Sequence, residues 1–567
     1  MAGVRQEVAY DAVLQSTKTL APPVTRQAVV AAALAAGSVA LLRLVIPVGI
    51  DSAAHAYQTL RWLHSGFQFW DNYWYDGHYS FVDYSLLYYP IAGLIGQVAT
   101  VLASVSASGF LFARLVCGRF EVSSPWPVRA FATSLAVVVW LSGEYPFALG
   151  LALGLAALSL RRSRVPLASV AALGTLLASP LAFLLLLVGF GGLALGNLRR
   201  LPRIDLLMGL GVCVVVALGL QLAFPITGTF HYNFWALFQV LAMSALAGLC
   251  SIGLRGVASI RGLFAAMAVL AIAAYVVPSP LGGNATRLVD YVGAPLIWIL
   301  LARQRQERRL WMPVVAVVGA VVLAGQLAPT IVSAALALGS RSDNPAFWSG
   351  AIRFLHDTAN PNFRVESVDT ADHWDAYYLP AAGIPIVRGW FRQSDFPDNT
   401  VLYQDAVSAT RYQAWLRRNG VRYVVLPHDA LDYSAVAEAR LLQSGQSGLR
   451  VDYQDPFVTI YALPNPTPLL VAPPHRRASV LGFGHTSVVV WVSGTGSYSL
   501  AVSYTPYWRI RSAGIACVTE APDRLTTLVA SHRGVISMRF HPTFEWSFGG
   551  ARSDCDSVAP NWRRVAR

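Results

Sequence analysis

The sequence predicts a polytopic α-helical membrane protein with about eleven transmembrane helices and an extracytoplasmic C-terminal region in two parts, one α/β and one β-sandwich-like. Three observations carry this. The chain of 567 residues is 55% hydrophobic and only 13% charged, against about 25% charged in soluble domains. Apolar runs near the roughly 20 residues that a bilayer requires recur from Ala28 to Leu338. Beyond Leu338 the polarity returns to that of a soluble protein, and period-two patterning appears.

The first apolar run, from Gln27, follows a polar lead and shows no clear small-residue cleavage site. It reads as an uncleaved signal anchor behind a cytoplasmic N-terminus at 1-26. Within a transmembrane domain at 27-338, the expected crossings are approximately 27-48, 85-105, 129-143, 146-160, 166-179, 180-197, 204-224, 235-254, 263-279, 288-302 and 310-336. A long first loop, 49-84, separates the first two. The pair flanking Pro180 reads equally as one kinked helix or a re-entrant hairpin. The stretch "GFLFARLVCGRF" is either a further crossing or, given Arg114 and Arg119, an interfacial helix.

Orientation follows from the arginines. "RRSR", "RRLPR", "RGVASIR" and "RQRQERR" alternate along the chain with "GEYP", "FPITGTFHYNF" and "SPLGGNATRLVDY". Basic short loops stay in the cytoplasm, so the first loop and the C-terminal region share the extracytoplasmic face. The formal net charge of +13 is then a topology signal and not a nucleic-acid footprint.

The exported region divides at a Pro-rich stretch, "LPNPTPLLVAPPHRR". Before it, an α/β unit at 339-465 alternates strand-like and helix-like segments such as "YQAWLRRNGVRYVVLP". After it, "SVVVWVSGTGSYSLAVSYTPYWRI" and "TLVASHRGVISMRFHP" predict a β-sandwich-like domain at 466-567. Cys117, Cys213 and Cys250 lie in or beside apolar runs and read as small buried hydrophobes. Cys517 and Cys555 fall in the exported region, where an even pair suggests a disulfide. No CxxC or zinc-spaced histidine cluster occurs, so no metal ligand is assigned.

The first loop is dense in titratable groups. Asp51 directly follows the first span, with His55 one turn further along "SAAHAYQTLRWL". A carboxylate there serves either as the cap of that helix or as a general base with a raised pKa. "WDNYWYDGHYSFVDY" fits an interfacial aromatic belt or a sugar-gripping surface, and its Asp76, His78 and Asp83 suit hydroxyls or a divalent cation. Glu144 in "GEYPF" and His231 in "TGTFHYNF" face the same side. Arg287 in "GGNATRLVDY" needs a partner at the membrane, either an anionic phosphate or Asp290 three residues on. In "IPIVRGWFRQSDFPDN", Arg388, Trp390, Arg392, Gln393 and Asp395 suit carbohydrate binding, a lid, or a docking loop. "YTPYWRI" reads as strand packing.

A first extracytoplasmic loop opening on an acid ("GIDSAAHAYQ"), many spans and an exported C-terminal domain resemble the GT-C superfamily of polyprenyl-phosphate-dependent glycosyltransferases. "YDGHYSFVDYSLLYYP", "GEYPFALGLALG", "PLGGNATRL" and "VSYTPYWRIRSAG" more closely resemble bacterial 6-pyruvoyl-tetrahydropterin-synthase-related and YfhO-like multispan membrane proteins. The resemblance implies an inverting glycosyltransferase of the bacterial plasma membrane. Asp51 would be its general base, a polyprenyl-phosphate-linked sugar its donor and an envelope glycan or glycolipid its acceptor. Ser52 follows Asp51 where a paired acid would complete the "DD" or "DE" pattern. Two other readings share the composition: a transporter or flippase of lipid-linked sugars, and a non-catalytic glycan-binding protein of envelope assembly.

Overall fold

A computed structural model describes residues 22–120, 124–161, 164–196, 204–225, 228–307, 310–511, 515–542 and Cys555. The lead up to residue 21, the basic loop at 199–203 and the C-terminal end apart from Cys555 lie outside the described residues.

The chain opens with α1 (Pro22–Val45), α2 (Ser52–Ser65), a two-stranded ribbon of β1 (Trp70–Asp71) and β2 (His78–Tyr79), and α3 (Tyr88–Ile95). Next come α4 (Gln97–Phe120), α5 (Trp126–Ser142), α6 (Tyr145–Leu160), α7 (Val165–Ala178), α8 (Pro180–Leu195) and α9 (Ile204–Ala223). The helical part closes with α10 (Phe234–Cys250), α11 (Ala258–Val276), α12 (Arg287–Gln306) and α13 (Met312–Ala337). Among the described residues, six helices are long and apolar enough to cross a membrane: α1, α4, α9, α11, α12 with its preceding turn, and α13. The apolar helices α5 to α8 and α10 are shorter.

The second crossing departs from expectation. The chain breaks at Gly96, whose φ is +87°, and α4 then runs unbroken through "GFLFARLVCGRF". That stretch is therefore the second half of one helix and not a separate interfacial one. Ala28, Ala31, Ala35 and Val39 of α1 are fully buried, and a Cβ at Gly109 of α4 would stand 2.9 Å from the Ala31 carbonyl oxygen. Small residues let the two backbones touch, the common solution where lipid supplies no drive for helices to associate. At Pro180 the chain turns back through a single extended residue, Ser179, whose hydroxyl caps α8 by accepting from Ala182 N at 3.3 Å. Gly154 of α6 faces both Thr175 of α7 and Leu186 of α8, so these two helices lie side by side as a hairpin.

The α/β part holds α14 (Pro345–Asp357), β3 (Arg364–Ser367), α15 (Asp375–Ala381), α16 (Arg392–Asp398), α17 (Ala409–Arg418), β4 (Val421–Pro427), α18 (Val436–Gln443), β5 (Arg450–Gln454) and β6 (Val458–Ala462). Its sheet order is β3-β4-β6-β5, with only the β3/β4 pair parallel. Strands β7 (Leu470–Val471), β8 (Ala478–Gly484), β9 (Ser487–Val492), β10 (Gly496–Ser503), β11 (Trp508–Ile510), β12 (Ala516–Glu520), β13 (Leu525–Ala530) and β14 (Gly534–Phe540) follow. They form two antiparallel sheets, β12-β13-β10-β7 and β11-β14-β9-β8. Val488, Val490 and Val492 of β9 are fully buried while their neighbours are half-exposed, the alternation of a sheet with one face in a core. Cys517 and Cys555 are disulfide-bonded, with Cα atoms 4.9 Å apart.

The first loop joins the parts. Trp70 inserts into the sandwich core, 5.6 Å from the Trp508 ring and 5.5 Å from Phe540. Trp74 stacks on Tyr57 at 4.6 Å and donates from Nε1 to the Ala376 carbonyl at 3.1 Å. Burying each indole stabilises the docking by about 2–3 kcal/mol. These two tryptophans are packing anchors, not an interfacial belt or a sugar platform.

Candidate active site

Asp51 stands at the capping position of α2, yet its side chain makes no capping bond. Its Oδ1 instead accepts from Trp390 Nε1 at 2.7 Å. The backbone explains why. Asp51 N donates to the Ser142 carbonyl at 2.9 Å. A Cβ at Gly49 would lie 2.3 Å from Gly143 N, and one at Gly143 would lie 2.8 Å from Asp51 N. Gly143, at φ +81°, closes α5 in the left-handed region, which glycine adopts without strain. The "GID" and "GEYP" segments are thus two halves of one contact, and it sets Asp51 beside Glu144.

Both face a cavity of about 820 Å³ between the helices and the α/β part. Asp51, Asp83, Glu144 and Arg287 reach it from the helical half, and Trp390, Arg392, Gln393, Asp432 and Tyr433 from the α/β half. Leu141, Phe147, Leu181 and Leu184 give its wall an apolar side. Arg287 Nη2 pairs with Glu144 Oε1 at 3.2 Å and lies over the Phe147 ring at 5.4 Å. Tyr291 donates to Glu144 Oε2 at 2.7 Å. Asp290, the alternative partner in the sequence, instead accepts from Thr286 Oγ1 at 2.6 Å and Gln239 Nε2 at 3.2 Å.

The indole of Trp390 is clamped. His373 stacks on it at 3.4 Å and the Arg392 guanidinium lies over it at 4.6 Å. Arg392 is itself paired with Asp432 and donates to Tyr403 and Ser434, each at 3.0 Å. Together these contacts aim one N–H at one carboxylate oxygen.

Burial pushes the Asp51 carboxyl up to about 6, and nearby Glu144 adds to the rise, while Arg287 and the Trp390 bond oppose it. Asp83 has no ionic or hydrogen-bonding partner among the described residues, and burial drives its carboxyl well above the ordinary range. His55 is enclosed by Tyr84, Tyr88, Tyr89 and Tyr145. Burial takes it down to about 3, so it stays neutral.

The other expected residues lie elsewhere. His55 packs behind the wall. Asp76 pairs with fully buried Arg364 at 2.7 Å, and His78 packs between Trp74 and Phe391. Asp76, His78 and Asp83 therefore do not converge, and among the described residues no group of three His, Cys, Asp or Glu side chains is placed to hold a metal. Arg388 and Asp395 are buried together, bonded at 2.9 Å through both Nε and Nη2, with Asp369 at 2.7 Å from Arg388. His231 is exposed and stacks beside Phe396. Sequence reasoning missed Asp432 and Tyr433; they sit in "HDALDYS", where no spacing marks a site.

No protein-family model matches the chain, and no curated protein does. Among solved structures, the chain is similar to the arabinofuranosyltransferase AftD from Mycobacteria, at 15% identity and a TM-score of 0.48, over 95% of this chain and 58% of that one. It is also similar to the oligosaccharyltransferase AglB from Archaeoglobus fulgidus, at 12% identity and a TM-score of 0.30, over 72% of this chain and 69% of that one. The chain thus spans less than two thirds of the length of the arabinofuranosyltransferase.

Proposed function

We propose that the protein is an integral membrane glycosyltransferase of the GT-C kind, taking a sugar from a polyprenyl-phosphate donor to an extracytoplasmic glycan or lipid acceptor. One observation carries the reading: a carboxylate that leaves its own helix uncapped is held by an indole N–H inside a cavity that is apolar on one side and charged on the other. Trp390 occupies Oδ1, leaving Oδ2 to take the acceptor hydroxyl proton. The acceptor oxygen bonds to the anomeric carbon as the bond from that carbon to the phosphate oxygen breaks, with inversion. The electron pair leaves with the lipid phosphate, whose charge Arg287 stabilises by turning from Glu144. The apolar wall meets the first isoprene units. With a carboxyl at about 6, the base is ionised at neutral pH yet still close to it in strength.

The test is transfer by the purified full chain in nanodiscs, from radiolabelled polyprenyl-phosphate sugars to an envelope-glycan extract. Wild type is expected to transfer, with Asp51→Asn slower by about 10³-fold or more. Equal transfer by both proteins would remove Asp51 from the chemistry.

A further inference from the structure

A second opening runs between α4, α6, α8, α11 and α12, with a volume of about 160 Å³. It begins beside Phe147, at the edge of the main cavity, and ends beside Arg119 and Arg161. From Phe147 to Arg161 along α6, at about 1.5 Å per residue, the slot is roughly 20 Å long. That exceeds one leaflet of a hydrocarbon core about 30 Å thick, and it suits one extended acyl chain.

The slot is open by construction. A Cβ at Gly262 of α11 would stand 2.1 Å from the Gly192 carbonyl oxygen of α8, so these helices touch backbone to backbone and cannot slide closer. Gly154 and Gly189 line the slot without side chains, and a Cβ at Gly189 would meet nothing within 4 Å. The remaining wall is almost wholly carbon, and none of the described residues lining it is acidic. An apolar void forgoes packing on every side, and water finds too few partners to fill it. A hydrocarbon chain fits both constraints.

The charge lies at one end. Arg119 donates from Nε to Ser259 Oγ at 3.3 Å, and Arg161 donates from Nη1 to the Leu158 carbonyl. Guanidinium groups bind phosphate oxygens in pairs. We infer that the slot holds one chain of an anionic glycerophospholipid of the bilayer, with its head-group phosphate at Arg119 and Arg161. A donor lipid with its phosphate at Arg287 would place its charge at the opposite end, so the inference is independent of the transfer reaction.

Native mass spectrometry of the full chain in mild detergent tests it, with dioleoylphosphatidylglycerol and dioleoylphosphatidylcholine offered in equal amounts. The most tightly retained adduct is expected to be the phosphatidylglycerol, preferred roughly tenfold. Arg119→Gln with Arg161→Gln should abolish the preference while leaving a lipid bound. Gly189→Leu should remove the tight adduct, with unchanged elution as a monodisperse species. Equal retention of the two phospholipids by wild type, a preference that survives the double arginine variant, or tight binding that survives in Gly189→Leu each overturns the inference.

Discussion

At the scale of single residues, the molecule separates groups that look alike in sequence. Asp51, Asp71, Asp76 and Asp83 stand within one loop region, yet only Asp51 and Asp83 meet the cavity. Asp71 accepts from Tyr57 at 2.7 Å and from His485 at 2.9 Å, and Asp76 is committed to Arg364. Burial holds the folded Asp51 carboxyl up at about 6 against an ordinary 3.8. The folded state binds this proton more tightly than the unfolded one, so the penalty for burying the charge is absent below the unfolded value, grows between the two, and is full above about pH 6. Asp51→Asn should therefore stabilise the protein by up to about 1–3 kcal/mol at pH 8 and leave it unchanged near pH 3. Thermal unfolding across pH checks this without a substrate. Glu144→Gln removes a neighbouring negative charge, so Asp51 should ionise more readily. The acidic limb of the transfer-rate profile should then move down by up to about one pH unit. The chemistry of Asp51 was legible as a choice between cap and base. What draws its side chain away from the cap, an indole 339 positions away, leaves no local pattern.

At the scale of elements, much of the fold was legible because apolar periodicity reports burial directly. The alternate valines of β9 and the alanine stripe of α1 are examples. Breaks were harder to read. The run from Leu86 to Phe120 is apolar almost throughout, and only the backbone of Gly96 separates α3 from α4. Trp70 and Trp74 were hard to read for a different reason: tryptophans suit a membrane interface, a sugar and a protein core equally well, and composition does not choose. Trp70→Ala should lower stability by about 3–5 kcal/mol and, by loosening the sandwich from the loop, should speed protease cleavage around Trp70. Differential scanning fluorimetry and timed proteolysis read the two effects separately. Little loss in either would mean that the ring is not the anchor its contacts with Trp508 and Phe540 indicate.

At the scale of the whole molecule, the α/β part completes the cavity. The Cys517–Cys555 link ties strand β12 to the chain end. Reducing it should cost the sandwich about 2–4 kcal/mol, seen as a lower unfolding midpoint in reductant, and Cys517→Ser with Cys555→Ser should lose the response. The contact between Asp51 and Trp390 also sets an order of manufacture. A ribosome releases Asp51 early, while the indole that orients it arrives only after the last long apolar helix and the start of the α/β unit have been made. Until then the carboxylate lacks the N–H that holds its Oδ1. Completion of the far end thus fixes the near one, and a graft that exchanges either half would have to carry both sides of that handshake.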